Sequence, residues 1–106
     1  MNSDIFSILK DIGFSDIQIN IYNYLLKHKL GTINDIKSDL NYSYTQVYHN
    51  LLYLEEKHLI ESSTDSKPKI YINVNPKIAL SELIEQKFSN FKKVLTSVEE
   101  YVIIIV

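Results

Sequence analysis

The chain has 106 residues, enough for one small domain around a single core and too few for two ordinary domains. Hydrophobic residues make up 45% and charged residues 23%, which excludes a disordered or fibrous chain, and with no Cys there are no disulfides, thiolate metal sites or thiol nucleophiles. The basic residues, all Lys, number 11 against 13 acidic ones, a formal charge of −2, so no bulk positive field draws the molecule to polyanions and guanine readout by a bidentate Arg is excluded.

The first predicted element is a short amphipathic helix from Asp4 to Asp11, with Ile5, Ile8, Leu9 and Ile12 at helical spacing and Gly13 as its stop. Ser15 then caps a helix from Asp16 to about Lys29, whose inward set is Ile17, Ile21, Tyr24, Leu25 and Leu26, and Gly31 closes it. Thr32 caps a third stretch, Ile33 to Leu40, with Ile33, Ile36 and Leu40 inward. After the turn Asn41-Tyr42-Ser43, Ser43 caps a helix from Tyr44 to about Lys57 in which Val47, Leu51 and Leu54 face the core. From Ile60 the pattern changes to Ile60–Thr64, a polar turn Asp65-Ser66-Lys67-Pro68, and Lys69–Val74, a hairpin with a charged tip. Pro76 opens a last helix, and no breaker follows it.

Helices followed by a hairpin, in that order, give a mainly α (α+β) chain: a winged helix-turn-helix over residues 1–75, then a long C-terminal helix over residues 76–106. In such a fold the helix before the wing lies in the DNA major groove. Its outward face here is Ser43, Tyr44, Thr45, Gln46, His49, Asn50 and Tyr53. Asn and Gln bond adenine bidentately, and Thr and Tyr touch a thymine methyl or a phosphate, so the set suits A/T-containing duplexes. Lys67 and Lys69 flank the wing tip and, with Lys27 and Lys29, are placed to neutralise phosphates. Tyr48 and Tyr71 are expected to pack in the core.

In the last helix Ile84, Phe88, Phe91, Leu95, Val98 and Val102 alternate by four and three residues, a heptad seam that needs a partner helix and predicts a homodimer. His28, His49 and His58 lie in separate elements, with no carboxylate spaced to complete a metal site. No phosphate loop, catalytic triad or framed carboxylate pair is present, so neither an enzyme nor a cofactor nor a small-molecule ligand is expected. The amino terminus does not read as a secretory signal and the longest apolar run, VIIIV, is far too short to span a bilayer, so the expected location is the cytoplasm.

The run GFSDIQINIYNYLLKHKLGTINDIKSDLNYSYTQVYHNLLYLEEKHLIES resembles the N-terminal DNA-binding domain of the TrmB family of archaeal transcriptional regulators, and KPKIYINVNPKIALSELI resembles its wing and linker helix. The most specific part is Val47-Tyr48, Leu51, Leu54-Glu55, Lys57 and Leu59-Ile60, joined by Lys67-Pro68-Lys69 and Tyr71 at the wing. The resemblance implies double-stranded DNA as partner. Where the family commonly has Pro and a basic residue before the recognition helix, this chain has Ser43, Tyr44 and Gln46, and His58 stands where a small residue usually ends that helix. A left-handed His58 is expected there, about 1 kcal/mol less favourable than glycine. Longer members carry a sugar-binding domain after the linker helix, and this chain is expected to lack one. The combined expectation is a homodimeric regulator binding specific duplex DNA; the alternative is a winged helix used as a protein-interaction module.

Overall fold

Three helices begin with the same reciprocal cap, and the caps fix where the chain turns. In the computed structural model, which describes residues 3–105, the elements are α1 (Ser3–Asp11), α2 (Asp16–His28), β1 (Leu30–Gly31), α3 (Ile33–Leu40), α4 (Tyr44–Glu56), β2 (Ile60–Ser62), β3 (Tyr71–Asn73) and α5 (Pro76–Ile105). Ahead of α2, the Gln18 amide donates to Ser15 Oγ at 3.2 Å while the Ser15 amide donates to Gln18 Oε1 at 2.9 Å. Thr32 and Asp35 form the same pair before α3, and Ser43 and Gln46 before α4. Each box satisfies two amides that a helix start leaves without intrahelical partners.

The helix ends depend on left-handed residues. Gly13 has φ 107°, Asn41 58° and His58 61°, the last as the family resemblance implies. Gly31 corrects the sequence reading: α2 stops at His28, and Lys29 (φ 72°), not glycine, takes the positive φ while its amide donates to the Leu25 carbonyl at 2.8 Å. Gly31 instead lies in β1, where a Cβ would stand 3.2 Å from Tyr24 Cε1. There glycine permits close approach rather than a turn.

α2 is the central helix. Besides the expected Ile21, Tyr24 and Leu25 it buries Ile19 and Tyr22, because partners close over more than one of its faces. Leu9 of α1, Ile36 of α3, Val47, Leu51 and Leu54 of α4, and Leu59, Ile60 and Tyr71 beside and in the sheet complete the core, whereas Ile8 points outward. Each fully buried aliphatic side chain contributes about 1.5–3 kcal/mol of transfer free energy. The sheet is antiparallel in the order β1-β3-β2, with Ser62 opposite Tyr71 and Gly31 opposite Tyr71 on its other side. β1 has no counterpart in the sequence reading, and the hairpin strands are shorter than expected.

α5 leaves this core. Ala79, Leu80 and Leu83 are buried, and from Phe88 onward every described side chain is exposed. The helix accounts for extents of 60 × 27 × 26 Å and a radius of gyration of 17.1 Å, against about 13 Å for a compact chain of this length.

Candidate nucleic-acid interface

The start of α4, the start of α3 and the tip of the hairpin meet on one face. A cleft of about 120 Å³ between them is lined by Thr32, Ile33, Asn34, Tyr44, Pro68 and Lys69. Tyr44, Thr45 and His49 are exposed on α4, and Lys67 and Lys69 are exposed on the wing. The Lys69 ammonium lies 5.7 Å from the centre of the Tyr71 ring, which holds a flexible cation beside the wing tip. The cleft combines two helix starts, the Asn34 amide, the Thr32 and Tyr44 hydroxyls and the Lys69 cation, group types that can contact a duplex backbone and base edges.

Not all the predicted contact residues are free to reach outward. Ser43 Oγ and the Gln46 carboxamide are held in the α4 cap at 3.1 and 3.0 Å, so their first role is to start the helix. Asn50 is half-buried and its Nδ2 donates to the Gln46 carbonyl at 2.7 Å. Tyr53 departs from its expected place: it packs edge-on against Phe14 with ring centroids 5.3 Å apart, and the Lys57 ammonium lies over its ring, 5.4 Å from the centre. Buried Phe14 brings the turn after α1 over this part of α4, and that contact removes Tyr53 from the outward face.

Tyr48 departs in the opposite sense. Expected in the core, it is 39% exposed and stacks with Tyr44, centroids 6.4 Å apart. Val47, Leu51 and Leu54 take the inward stripe, and position 48 shares the flank of position 44, one turn away. Tyr71 is fully buried as expected, and burial followed by the neighbouring Glu55 charge pushes its phenol up. Thr32, Ile33 and Asn34, which line the cleft, and Tyr48, stacked on Tyr44, thus join the face without having been predicted as contact residues. The α4 residue was legible from its four-residue spacing to Tyr44; the start of α3 depended on where the wing folds.

Lys27 belongs to a different groove, of about 420 Å³, lined by Asn20, Asn23, Tyr24, Lys27, His28, Asp39 and Leu40. There the Tyr24 hydroxyl donates to Asp39 Oδ2 at 2.7 Å and its ring stacks on His28 at 3.9 Å. Lys29, at the end of α2, offers its carbonyl to the Asn73 amide of β3 at 3.5 Å. Neither lysine lines the cleft at the wing.

On α5 the seam residues Phe88, Phe91, Leu95, Val98 and Val102 are exposed, and Ile84 is half-buried. Among the described residues, no helix is long and apolar enough to cross a membrane.

The comparisons with known proteins follow this geometry. The archaeal chromatin protein TrmBL2, whose structure shows a novel mode of DNA binding, superposes with a TM-score of 0.79 at 17% identity over 95% of this chain, which spans only 40% of that protein. A Staphylococcus aureus MepR variant bound to an oligodeoxyribonucleotide gives 0.61 at 25% identity, covering 90% of this chain and 72% of MepR. A MarR family protein from Bacillus stearothermophilus gives 0.59 at 17% identity, covering 95% and 74%. No curated protein matches the chain in sequence. Residues 9–77, well over half of the chain, match the family described as sugar-specific transcriptional regulator TrmB, and the chain therefore belongs to the TrmB family of transcriptional regulators.

Proposed function

We propose that the protein binds specific A/T-containing duplex DNA as a homodimer, with the start of α4 in the major groove and the wing on the phosphate backbone. The observation that carries this reading is the cleft in which exposed Tyr44 at the start of α4 meets Pro68 and Lys69 of the wing beside the start of α3, in a member of a transcription-regulator family. An overall charge of −2 does not oppose it, because phosphate neutralisation is local and Lys69 of the wing lines the same cleft as Tyr44 of α4. MepR, bound to an oligodeoxyribonucleotide, supports the same partner class. In this reading Asn50 exchanges its bond to the Gln46 carbonyl for a bidentate contact with adenine, while Ser43 and Gln46 keep the helix start in place. The exposed heptad residues of α5, which the globular part leaves uncovered, support pairing of two copies.

The test is a duplex titration at several salt concentrations. Asn50→Ala is expected to lose roughly 1–3 kcal/mol on an A/T-containing site selected from random duplexes, and to blur preference for it. Lys69→Ala is expected to weaken all sequences alike and flatten the log–log salt slope by about one unit. If both variants stay folded by circular dichroism and bind every duplex as the parent does, the docking face is wrong, and a protein partner for Tyr44, Tyr48 and His49 becomes the better reading.

A further inference from the structure

The flanks of the α5 seam carry information about how two copies pair. With Phe88, Leu95 and Val102 at the a positions and Phe91, Val98 and Ile105 at d, the e flank reads Glu85, Lys92 and Glu99, and the g flank reads Lys87, Val94 and Tyr101. One edge of the seam is therefore charged with alternating sign, and the other is apolar over its distal half. Val94 and Tyr101 are each 63% exposed.

A parallel coiled coil sets g of one helix against e of the other, five residues on. In this chain that arrangement puts Lys87 against Lys92 of the partner subunit and Val94 against Glu99 of the partner subunit, each twice by symmetry. Like charges meet, and a carboxylate faces an apolar side chain. An antiparallel pair instead sets e against e and g against g. With Leu95 opposite Val98 of the partner subunit, Phe91 falls opposite Val102 of the partner subunit and Phe88 opposite Ile105 of the partner subunit. Lys92 then meets Glu99 of the partner subunit on one edge, and Val94 meets Tyr101 of the partner subunit on the other, each contact occurring twice.

Other antiparallel registers are worse. Sliding one heptad toward the globular part sets Lys92 against Lys92 of the partner subunit and Glu85 against Glu99 of the partner subunit. Sliding two heptads restores opposite charges but places Ser81 against Val98 of the partner subunit and leaves Val102 and Ile105 uncovered. Resting on the homodimer reading above, we infer that the distal half of α5 pairs with a second copy as an antiparallel coiled coil centred between Thr96 and Ser97.

The chain has no Cys, so a single introduced thiol can be labelled cleanly. Spin labels on Gln86→Cys, on the outer face away from the seam, are expected about 40 Å apart in the antiparallel dimer, from an offset of about 30 Å along the axis at 1.5 Å per residue combined with the width of the pair; a parallel dimer leaves only that width, about 25 Å. Lys92→Glu gives a second readout of opposite sign for the two orientations. It sets carboxylates against Glu99 of the partner subunit and is expected to raise the dimer dissociation constant about tenfold at low salt, whereas in a parallel pair it relieves the contact with Lys87 and tightens the dimer. Adding Glu99→Lys is expected to restore the parent's affinity. A dimer with a short label distance, or one tightened by Lys92→Glu, overturns the orientation and leaves the homodimer standing. A light-scattering mass of one chain at micromolar concentration overturns both.

Discussion

Two phenols of α2 hold their protons beyond the usual range. Burial pushes the Tyr22 hydroxyl up to about 12, and burial, then the hydrogen bond to Asp39, then the charges of Asp39 and Asp35, push Tyr24 up to about 12. An unfolded chain releases these protons near pH 10, so the native state binds more protons above that point. Folded pKa values above the unfolded ones mean that the contribution is intact below pH 10 and is lost as pH rises through 12. Urea denaturation between pH 8 and 11.5 is expected to show stability falling above pH 10, by up to about 1.4 kcal/mol per pH unit for each phenol. Tyr22→Phe is expected to shallow that fall without loss at pH 7, because the Tyr22 hydroxyl is buried with no hydrogen-bond partner among the described residues. An unchanged alkaline slope in Tyr22→Phe contradicts the assignment. Single residues also mark how far sequence reading reaches. His58 was legible through the family resemblance, in which a small residue usually ends that helix, whereas Gly31 was misread because a glycine after a helix looks like its cap. Only the fold shows that Tyr24 needs the space.

At the scale of elements, starts were easier to read than faces. Ser15, Thr32 and Ser43 each stand three residues before a side chain that can return the hydrogen bond, a local pattern that needs no tertiary context. β1 has two residues, too few to show alternation, and exists only because β3 lies beside it. The outward face of α4 depended on distant chain in the same way: Phe14 claims Tyr53, while the inward stripe of Val47, Leu51 and Leu54 leaves Tyr48 outside. The cap of α4 separates two roles that the sequence merges at Gln46. Ser43→Ala is expected to cost about 1 kcal/mol in thermal or urea unfolding and to weaken DNA binding on all sequences together, since it frays the helix start without touching base preference. If Ser43→Ala instead changes which sequence is preferred with stability intact, the hydroxyl belongs to the DNA contact rather than to the cap.

At the scale of the whole molecule, the period of the α5 seam was legible because a heptad repeat is local, and the structure adds that the globular part ends its contacts near Leu83. In the proposed homodimer, the orientation of the pair would set the geometry of the DNA site. In an antiparallel coil centred between Thr96 and Ser97, the two copies of Lys77 lie on the order of 60 Å apart at 1.5 Å per residue. The two winged helices then sit at opposite ends, and two α4 helices on one face of a duplex fit half-sites about two helical turns apart, roughly 20–21 base pairs. A parallel coil places both winged helices at the same end, suited to half-sites about one turn, or roughly 10 base pairs, apart. Duplexes carrying two copies of the selected site at spacings from about one to three turns separate the cases by gel shift. Binding is expected to be tightest near two turns and to weaken at half-integral turns, where the second site faces away. Phe91→Glu, which puts a charge on each helix into the seam, is expected to yield monomers, for which every spacing binds alike. A maximum at one turn in the parent, lost in Phe91→Glu, would keep the dimer and reject the antiparallel coil. The same affinity at every spacing in both proteins would mean that α5 does not couple two winged helices on DNA.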